Sequence, residues 1–86
     1  MVYVLRSEVL ARTYVGIALD CEERLAQHNG AKPGGAKSTR QGRPWRIARE
    51  FGPFADRSEA QRVESQVKRL RGDARMDWQP GPDLFG

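Results

Sequence analysis

Apolar residues alternate with polar or small ones along two stretches of this chain and recur at helical spacing along two others. The alternation predicts β-strands over residues 13–18 and 45–51, because successive side chains of a strand point to opposite faces of a sheet. A short apolar run rich in β-branched residues predicts another strand over residues 2–5. Apolar residues three or four positions apart predict helices over about residues 20–29 and 56–71. These elements predict an α+β fold class, with a small three-stranded, mainly antiparallel sheet flanked by helices.

Both predicted helices begin with a capping signal. Asp20 is followed three residues later by Glu23, the spacing at which two side chains satisfy free backbone N–H groups at a helix start. In the second helix Asp56 and Ser58 both qualify, since each is followed three residues later by Glu or Gln. Gly30 is placed to end the first helix in a left-handed conformation.

The second helix carries a predicted buried stripe formed by Ala60, Val63, Val67 and Leu70. Glu64 follows Val63 by one residue, which is about 100° around the helix, so it lies at the border of the stripe. A carboxylate there can face a cleft, or it can form an ordinary surface ion pair with Lys68 four residues on. Residue spacing alone leaves both readings open.

The third strand opens with Trp45, directly after Pro44. A tryptophan in this position can stack on a nucleic-acid base, but burial in the core is the preferred interpretation. Unbroken alternation would place Trp45, Ile47, Arg49 and Phe51 on one face of the sheet.

Composition limits the chain to one small domain. Its 86 residues are 38% apolar and include one cysteine, so an internal disulfide and a cysteine-rich metal site are excluded. No apolar run is long enough to span a membrane and no signal-peptide pattern is present, so we expect a soluble, cytoplasmic protein. We expect the domain to occupy residues 1–72, with a C-terminal tail over 73–86 that contains Trp78 and Phe85 and either folds back through a short helical turn around residues 75–78 or stays a tail.

The net charge is +4, and positive charge is concentrated in one region. Between Gly30 and Glu50 the chain has basic residues and no acid; these are Lys32, Lys37, Arg40, Arg43, Arg46 and Arg49. Most of this region, residues 30–44, is rich in glycine and proline, which excludes regular structure. A basic loop of this length predicts contact with phosphates through Lys32, Lys37, Arg40, Arg43 and Arg46, although solvated basic loops are also common.

Two pairs of residues are candidates for chemistry. Tyr3 and Tyr14 would be near neighbours if the first two strands form a hairpin, but tyrosines are also ordinary strand residues. Arg24 and His28 lie one helical turn apart, so a fixed cation and a titratable ring point the same way. By itself, His28 is better explained as a histidine at the helix end, either hydrogen-bonded or cationic and stabilising the helix dipole.

The order of these residues resembles the GIY-YIG nuclease family. Val2-Tyr3 matches the end of the family's first half-motif, and Tyr14-Val15-Gly16 matches the second. Arg24 and His28 follow at the family's spacing. Other stretches are similar to the catalytic domain of eukaryotic structure-specific flap and junction endonucleases, namely His28-Asn29-Gly30, Gly34-Gly35-Ala36-Lys37, Thr39-Arg40 and Pro44-Trp45. The resemblance runs over about residues 2–70.

The resemblance implies a DNA endonuclease that depends on Mg²⁺ or Mn²⁺ and cuts branched or single-stranded DNA in repair or recombination. It implies that Glu64 binds the metal ion and that Arg24 binds the scissile phosphate. Tyr3 would act as, or near, the general base, and Tyr14 and His28 would position groups or relay protons. A tyrosine has an ordinary pKa near 10, so this role requires a lower pKa of Tyr3, which the metal and Arg24 could supply.

Other functions remain open at this stage. The chain could be a nuclease-fold module that binds nucleic acid without cutting it, or a basic protein that contacts other proteins. Many relatives have a tyrosine where Ser38 stands, so the contribution of that position is open. We expect no attached specificity domain, so the basic loop, the tail, self-association or a separate protein partner would set substrate choice.

Overall fold

The central element is a three-stranded antiparallel sheet. The computed structural model describes residues 1–81. Its strands and helices follow the predicted order and confirm the predicted α+β class; they are β1 (Val2–Ser7), β2 (Thr13–Ile17), α1 (Cys21–His28), a short 3₁₀ helix (Lys37–Thr39), β3 (Trp45–Phe51), α2 (Arg57–Arg69) and α3 (Ala74–Asp77).

β1 lies in the middle of the sheet and is antiparallel to both neighbours. The connection from β1 to β2 has no glycine or asparagine, and the Ser7 side chain organises it instead. The Ser7 hydroxyl oxygen accepts hydrogen bonds from the backbone N–H groups of Val9 and Leu10. A short polar side chain therefore satisfies the backbone of this turn.

The two faces of β1 pack against different helices. Val2 and Val4 face α2 and form an apolar core with its buried residues. Tyr3 and Leu5 face the opposite side and pack with Cys21 at the start of α1. The predicted α2 stripe is confirmed at Ala60, Val63 and Val67, whereas Leu70, at the end of the helix, is half-buried.

A bulge in β3 overturns the prediction that four alternate residues of this strand share one face. Val4 pairs with Arg49, but Leu5 pairs with Ile47, so Ala48 has no partner in β1. One extra residue reverses the side to which the following side chains point. Trp45, 4% exposed, packs with the α1 side as the predicted core residue, and Phe51 packs with the α2 side.

Both predicted helix caps are present. The Asp20 carboxylate accepts a hydrogen bond from the Glu23 N–H at 3.1 Å, and the Asp56 carboxylate accepts one from the Glu59 N–H at 3.0 Å. Asp56, and not Ser58, is therefore the cap of α2. Gly30 follows α1 with a φ of 83°, as predicted. Among residues 1–81, no helix is both long enough and apolar enough to cross a membrane.

Part of the predicted tail packs against the core. α3 is the short helical turn that the sequence offered as one alternative, and Met76 and Trp78 lie against the apolar cluster under α2. The Trp78 ring meets the Phe51 ring edge-on, with 5.7 Å between centroids. The domain boundary at residue 72 stays a prediction, and Phe85 lies outside the described residues.

Candidate active site

Tyr3 and Tyr14 lie on the face of the sheet that α1 covers. Tyr3 in the central strand is buried, Tyr14 in the edge strand is half-buried, and their ring centroids are 6.3 Å apart. The prediction that they are neighbours is confirmed. Tyr3 is paired with Gly16, where an added Cβ would lie 2.5 Å from the Tyr3 hydroxyl oxygen. Any side chain at position 16 would therefore displace the phenol.

His28, the last residue of α1, is completely buried beside both tyrosines. Its Nε2 lies 2.9 Å from the Tyr3 hydroxyl oxygen, and its ring centroid is 4.6 Å from that of Tyr14. Its Nδ1 lies 2.9 Å from the hydroxyl oxygen of Thr39, in the loop after α1. Both ring nitrogens therefore have partners inside the protein.

Burial sets the ionisation states of the Tyr3–His28 pair. Burial raises the pKa of Tyr3 above 10.0, and its hydrogen bond to Arg24 and the charge of Arg24 offset only part of this effect. Burial and then the charges of Arg24 and Arg43 lower the pKa of His28 from 6.5 to about 4. At neutral pH the pair is therefore a phenol beside a neutral imidazole.

These states bear on two sequence-based interpretations. In the protein without a metal ion, Arg24 lowers the pKa of Tyr3 as expected, but burial raises it by more. Of the two alternatives for His28 at the helix end, the hydrogen-bonded one is confirmed and the cationic one is wrong, because the imidazole is buried and neutral.

Arg24 lies one turn before His28 and is half-buried. Its Nη1 donates a hydrogen bond to the carbonyl oxygen of Gly34 at 3.1 Å and another to Oε1 of Gln27. These bonds fix the guanidinium between α1 and the following loop. Its charge acts on both Tyr3 and His28, so a phosphate that binds Arg24 would come close to the tyrosine–histidine pair.

Glu64 lies on α2, and the body of that helix packs on the other face of the sheet. Its carboxylate forms the expected ion pair with Lys68, at 3.4 Å. Lys68 also lines a cavity of about 380 Å³ at the edge of β2, together with Tyr14 and Arg75. This cavity therefore lies between Tyr14 of β2 and Lys68, the ion-pair partner of Glu64 on α2.

The donor set around Glu64 limits which metal ion it could hold. Within residues 1–81, no group of three or more His, Cys, Asp or Glu side chains could hold a metal ion. A structural or catalytic zinc site needs three or four protein ligands. Mg²⁺, in contrast, keeps several waters and is bound through one or two carboxylates and the substrate phosphates. Glu64 fits such an ion, because its carboxylate is partly exposed and can accept a hydrated cation in place of its Lys68 partner.

Four of the predicted nucleic-acid-binding residues are exposed in the loop after α1. They are Lys32, Lys37, Arg40 and Arg43. Lys32 and Arg40 line a polar cavity of about 530 Å³, part of whose wall is the backbone of Gly34 and Gly35. Cationic side chains and exposed backbone around a polar cavity suit the phosphates of a nucleic-acid strand.

Arg43 also lines this cavity, whereas Arg46 lies in β3. Arg43 donates a hydrogen bond from Nε to the carbonyl oxygen of His28 at 2.7 Å, so it also holds the end of α1. Arg46 is paired with Arg6 across β1 and β3. Strand alternation places the Arg6 and Arg46 side chains on the α2 face, opposite Tyr3.

Residues 1–77 match the GIY-YIG catalytic domain. The chain belongs to the GIY-YIG family. Tyr3, Tyr14 and His28 form the buried group described above, Arg24 borders it, and Glu64 stands apart on α2.

Similar proteins include named structure-specific endonuclease subunits. The SLX1 homolog of Cryptosporidium parvum is 41% identical over 63 residues, which cover 72% of this chain and 15% of the relative. SLX1 of Cryptococcus neoformans is 35% identical over 98 residues, or 88% of this chain and 20% of the relative. Slx1 of Schizosaccharomyces pombe is 44% identical over 43 residues, or 50% and 16%. The chain therefore spans no more than about a fifth of these relatives.

Thr39 belongs to the cluster of contacts around His28, although sequence analysis assigned it no role. It is fully buried at the end of the short 3₁₀ helix and contacts His28. Its motif match with Arg40 was visible in the sequence, but nothing distinguished its hydroxyl from those of other polar loop residues. Only the folding of the loop back onto α1 brings it to the histidine.

Proposed function

We propose that this chain is the catalytic domain of a divalent-metal-dependent DNA endonuclease that hydrolyses phosphodiester bonds. The observation that carries the proposal is the buried hydrogen bond between Tyr3 and His28, 2.9 Å long, with Arg24 beside it. Family membership and the names of the relatives support this activity. Branched DNA, such as a flap or junction, or single-stranded DNA is the proposed substrate, in repair or recombination.

The site offers a route for the proton of the attacking water. As the water attacks phosphorus, the Tyr3 oxygen accepts its proton and the phenolic proton moves to Nε2 of His28. A preformed phenolate is disfavoured, because burial raises the pKa of Tyr3. A linked transfer through the existing hydrogen bond avoids that species.

Arg24 has two effects once substrate is bound. Its guanidinium would hold a non-bridging oxygen of the scissile phosphate and stabilise the charge that develops there. The bound phosphate would also offset the positive charge that lowers the pKa of His28. His28 would therefore become a better proton acceptor when the substrate is in place.

Glu64 is the residue that would hold Mg²⁺ or Mn²⁺. The ion would supply positive charge to the phosphoryl and leaving oxygens in the transition state. Lys68, which is paired with Glu64 at 3.4 Å, would be free to contact the DNA backbone. Lys32, Lys37 and Arg40 would guide the strand past α1.

Substrate choice in this proposal involves a second protein or a second copy of this chain. The relatives are named as subunits and are several times longer. Sedimentation of the chain alone, at increasing concentration, tests the second possibility. A discrete dimer would support self-association, and a monomer at all concentrations would exclude it.

The test of the activity is cleavage of labelled single-stranded, duplex, flap and four-way-junction DNA with Mg²⁺, Mn²⁺ or EDTA. Glu64→Gln keeps the shape of the side chain and removes its charge, and Glu22→Gln is the matched control on an exposed position of α1. We expect metal-dependent cutting that is lost in Glu64→Gln and kept in Glu22→Gln. Binding without cutting under every metal would instead indicate a module that binds DNA without cleaving it.

A further inference from the structure

We propose that Thr39 is a positioning residue that holds His28 in the tautomer with hydrogen on Nδ1, so that Nε2 faces Tyr3 without a proton. The catalytic consequence rests on the proposed function, whereas the tautomer itself can be measured independently. Proton transfer from Tyr3 requires this tautomer, because a protonated Nε2 could only donate.

The assignment follows from the hydrogens available. The Thr39 hydroxyl has one hydrogen, which it donates to the carbonyl oxygen of Ala36 at 2.8 Å. Toward His28 Nδ1, at 2.9 Å, the same oxygen can then only accept. Nδ1 therefore carries the hydrogen, and Nε2 accepts from the Tyr3 hydroxyl at 2.9 Å.

The opposite tautomer satisfies fewer groups. A bare Nδ1 and the carbonyl oxygen of Ala36 would compete for the single hydrogen of Thr39. At the other end, Nε2 would donate to the Tyr3 oxygen, and the phenolic hydrogen would lose its acceptor. Burial of His28 makes such losses costly. The lowered pKa of His28 also argues against a cation, in which both nitrogens would donate.

Thr39 is itself held in place from two sides. Its carbonyl oxygen accepts a hydrogen bond from Nε1 of Trp45 at 2.8 Å. The Trp45 backbone forms two hydrogen bonds with the side chain of Asn29, at the end of α1. Hydrogen bonds therefore link Asn29 at the end of α1 to Trp45 of β3, and Trp45 to Thr39. These bonds fix the Thr39 hydroxyl relative to the His28 imidazole.

Nuclear magnetic resonance of ¹⁵N-labelled protein tests the proposal directly, because His28 is the chain's only histidine. Ring-nitrogen chemical shifts distinguish a protonated nitrogen from a bare one. We expect protonated Nδ1 and bare Nε2 in the wild type. Thr39→Val keeps the shape and removes the acceptor, so it should shift His28 toward the Nε2-protonated form. Thr39→Ser keeps the hydroxyl and should keep the wild-type tautomer.

Kinetics give the second readout. For Thr39→Val we expect kcat to fall about tenfold or more with little change in KM, and Thr39→Ser to restore most of the rate. Ser58→Ala, which removes a hydroxyl at an exposed position of α2, is the control and should change neither the tautomer nor kcat. A loss of kcat in Thr39→Val without a tautomer change would count against the positioning role.

Two results would overturn the proposal that Thr39 holds this tautomer. One is a wild-type His28 with its proton on Nε2, which needs no variant and therefore does not depend on whether Thr39→Val folds. The other is a folded Thr39→Val that keeps the Nδ1 proton. A correct tautomer in a protein that cuts no DNA would instead disprove the proposed function and leave the assignment standing.

Discussion

The two faces of β1 differ in what holds them together, although their residues alternate along one short strand. On the α2 face, Val2 and Val4 pack with Val63 in an entirely apolar cluster. On the α1 face, Tyr3 lies in a second cluster but also forms a hydrogen bond to the buried His28. One face therefore depends on shape and the other also depends on directional polar contacts.

This difference predicts how each face responds to substitution. Among the described residues, no buried side-chain nitrogen or oxygen lacks a hydrogen-bond partner. Removing one polar partner on the α1 face therefore leaves another polar group unsatisfied. Removing methyl groups on the α2 face leaves a cavity and no broken hydrogen bond. The first change should alter chemistry, and the second should alter stability alone.

Tyr3→Phe should produce the largest effect on activity. It removes the hydroxyl that links water to His28, so we expect the cleavage rate to fall by about a hundredfold or more. It also leaves Nε2 of His28 without its donor, which costs about 1–3 kcal/mol of unfolding free energy. Single-turnover cleavage and urea unfolding measure the two effects. An undiminished rate would remove Tyr3 from the base role.

Val63→Ala is the stability-matched control from the other face. Val63 is completely buried under the sheet, and its truncation should cost about 2 kcal/mol of unfolding free energy. Its cleavage rate, measured where the protein remains folded, should stay close to that of the wild type. Equal losses of activity in both variants would mean that the faces do not differ as proposed.

The pH dependence of the free energy of unfolding should report the lowered pKa of the buried His28. The unfolded chain takes up a proton on His28 as pH falls through 6.5, whereas the folded protein does so only near pH 4. The contribution of His28 to the free energy of unfolding is therefore complete above about pH 6.5. It is lost between pH 6.5 and pH 4, by about 3 kcal/mol in total.

Carboxylates titrate in the same range, so the experiment needs a reference protein. His28→Gln removes the titrating ring and leaves the other groups unchanged. The free-energy difference between wild type and His28→Gln, from urea unfolding between pH 7.5 and pH 4, isolates the histidine. We expect the unfolding free energy of the wild type, relative to that of His28→Gln, to decrease as the pH is lowered. A difference that stays constant or grows would contradict the buried, neutral state.

The basic residues should give the smallest effects, and these should also differ between faces. Arg40 borders the polar cavity beyond α1, whereas Arg46 lies on the α2 face beside Arg6. In EDTA, Arg40→Ala should weaken binding of single-stranded DNA about threefold and reduce the salt slope by about 0.7. Arg46→Ala should change both less. The opposite order would show that DNA also uses the α2 face.

Local rules predicted most of the fold. Capping residues Asp20 and Asp56 begin the helices where expected, and the α2 stripe is buried at three of its four positions. Such signals depend on neighbours within one or two turns, so sequence contains them. The β3 bulge at Ala48 was not predictable, because it depends on pairing with a strand more than forty residues away.

The candidate site divides in the same way. The tyrosines, Arg24 and His28 could be nominated from their order and spacing, and their catalytic roles remain predictions. Nothing in the sequence indicated that Arg43 would hold the carbonyl oxygen of His28. A loop without regular structure has no periodic signal that tells which side chains turn inward.

The sequence by itself determined the order of the elements, the two helix caps, the apolar stripe of α2 and the family motifs. These depend on contacts between residues close in the chain and on residue identity. Tertiary structure alone decided that His28 is neutral and that Thr39 contacts it. A pKa and a tautomer depend on burial and on partners brought from distant segments, and those partners exist only when the loop has closed over α1.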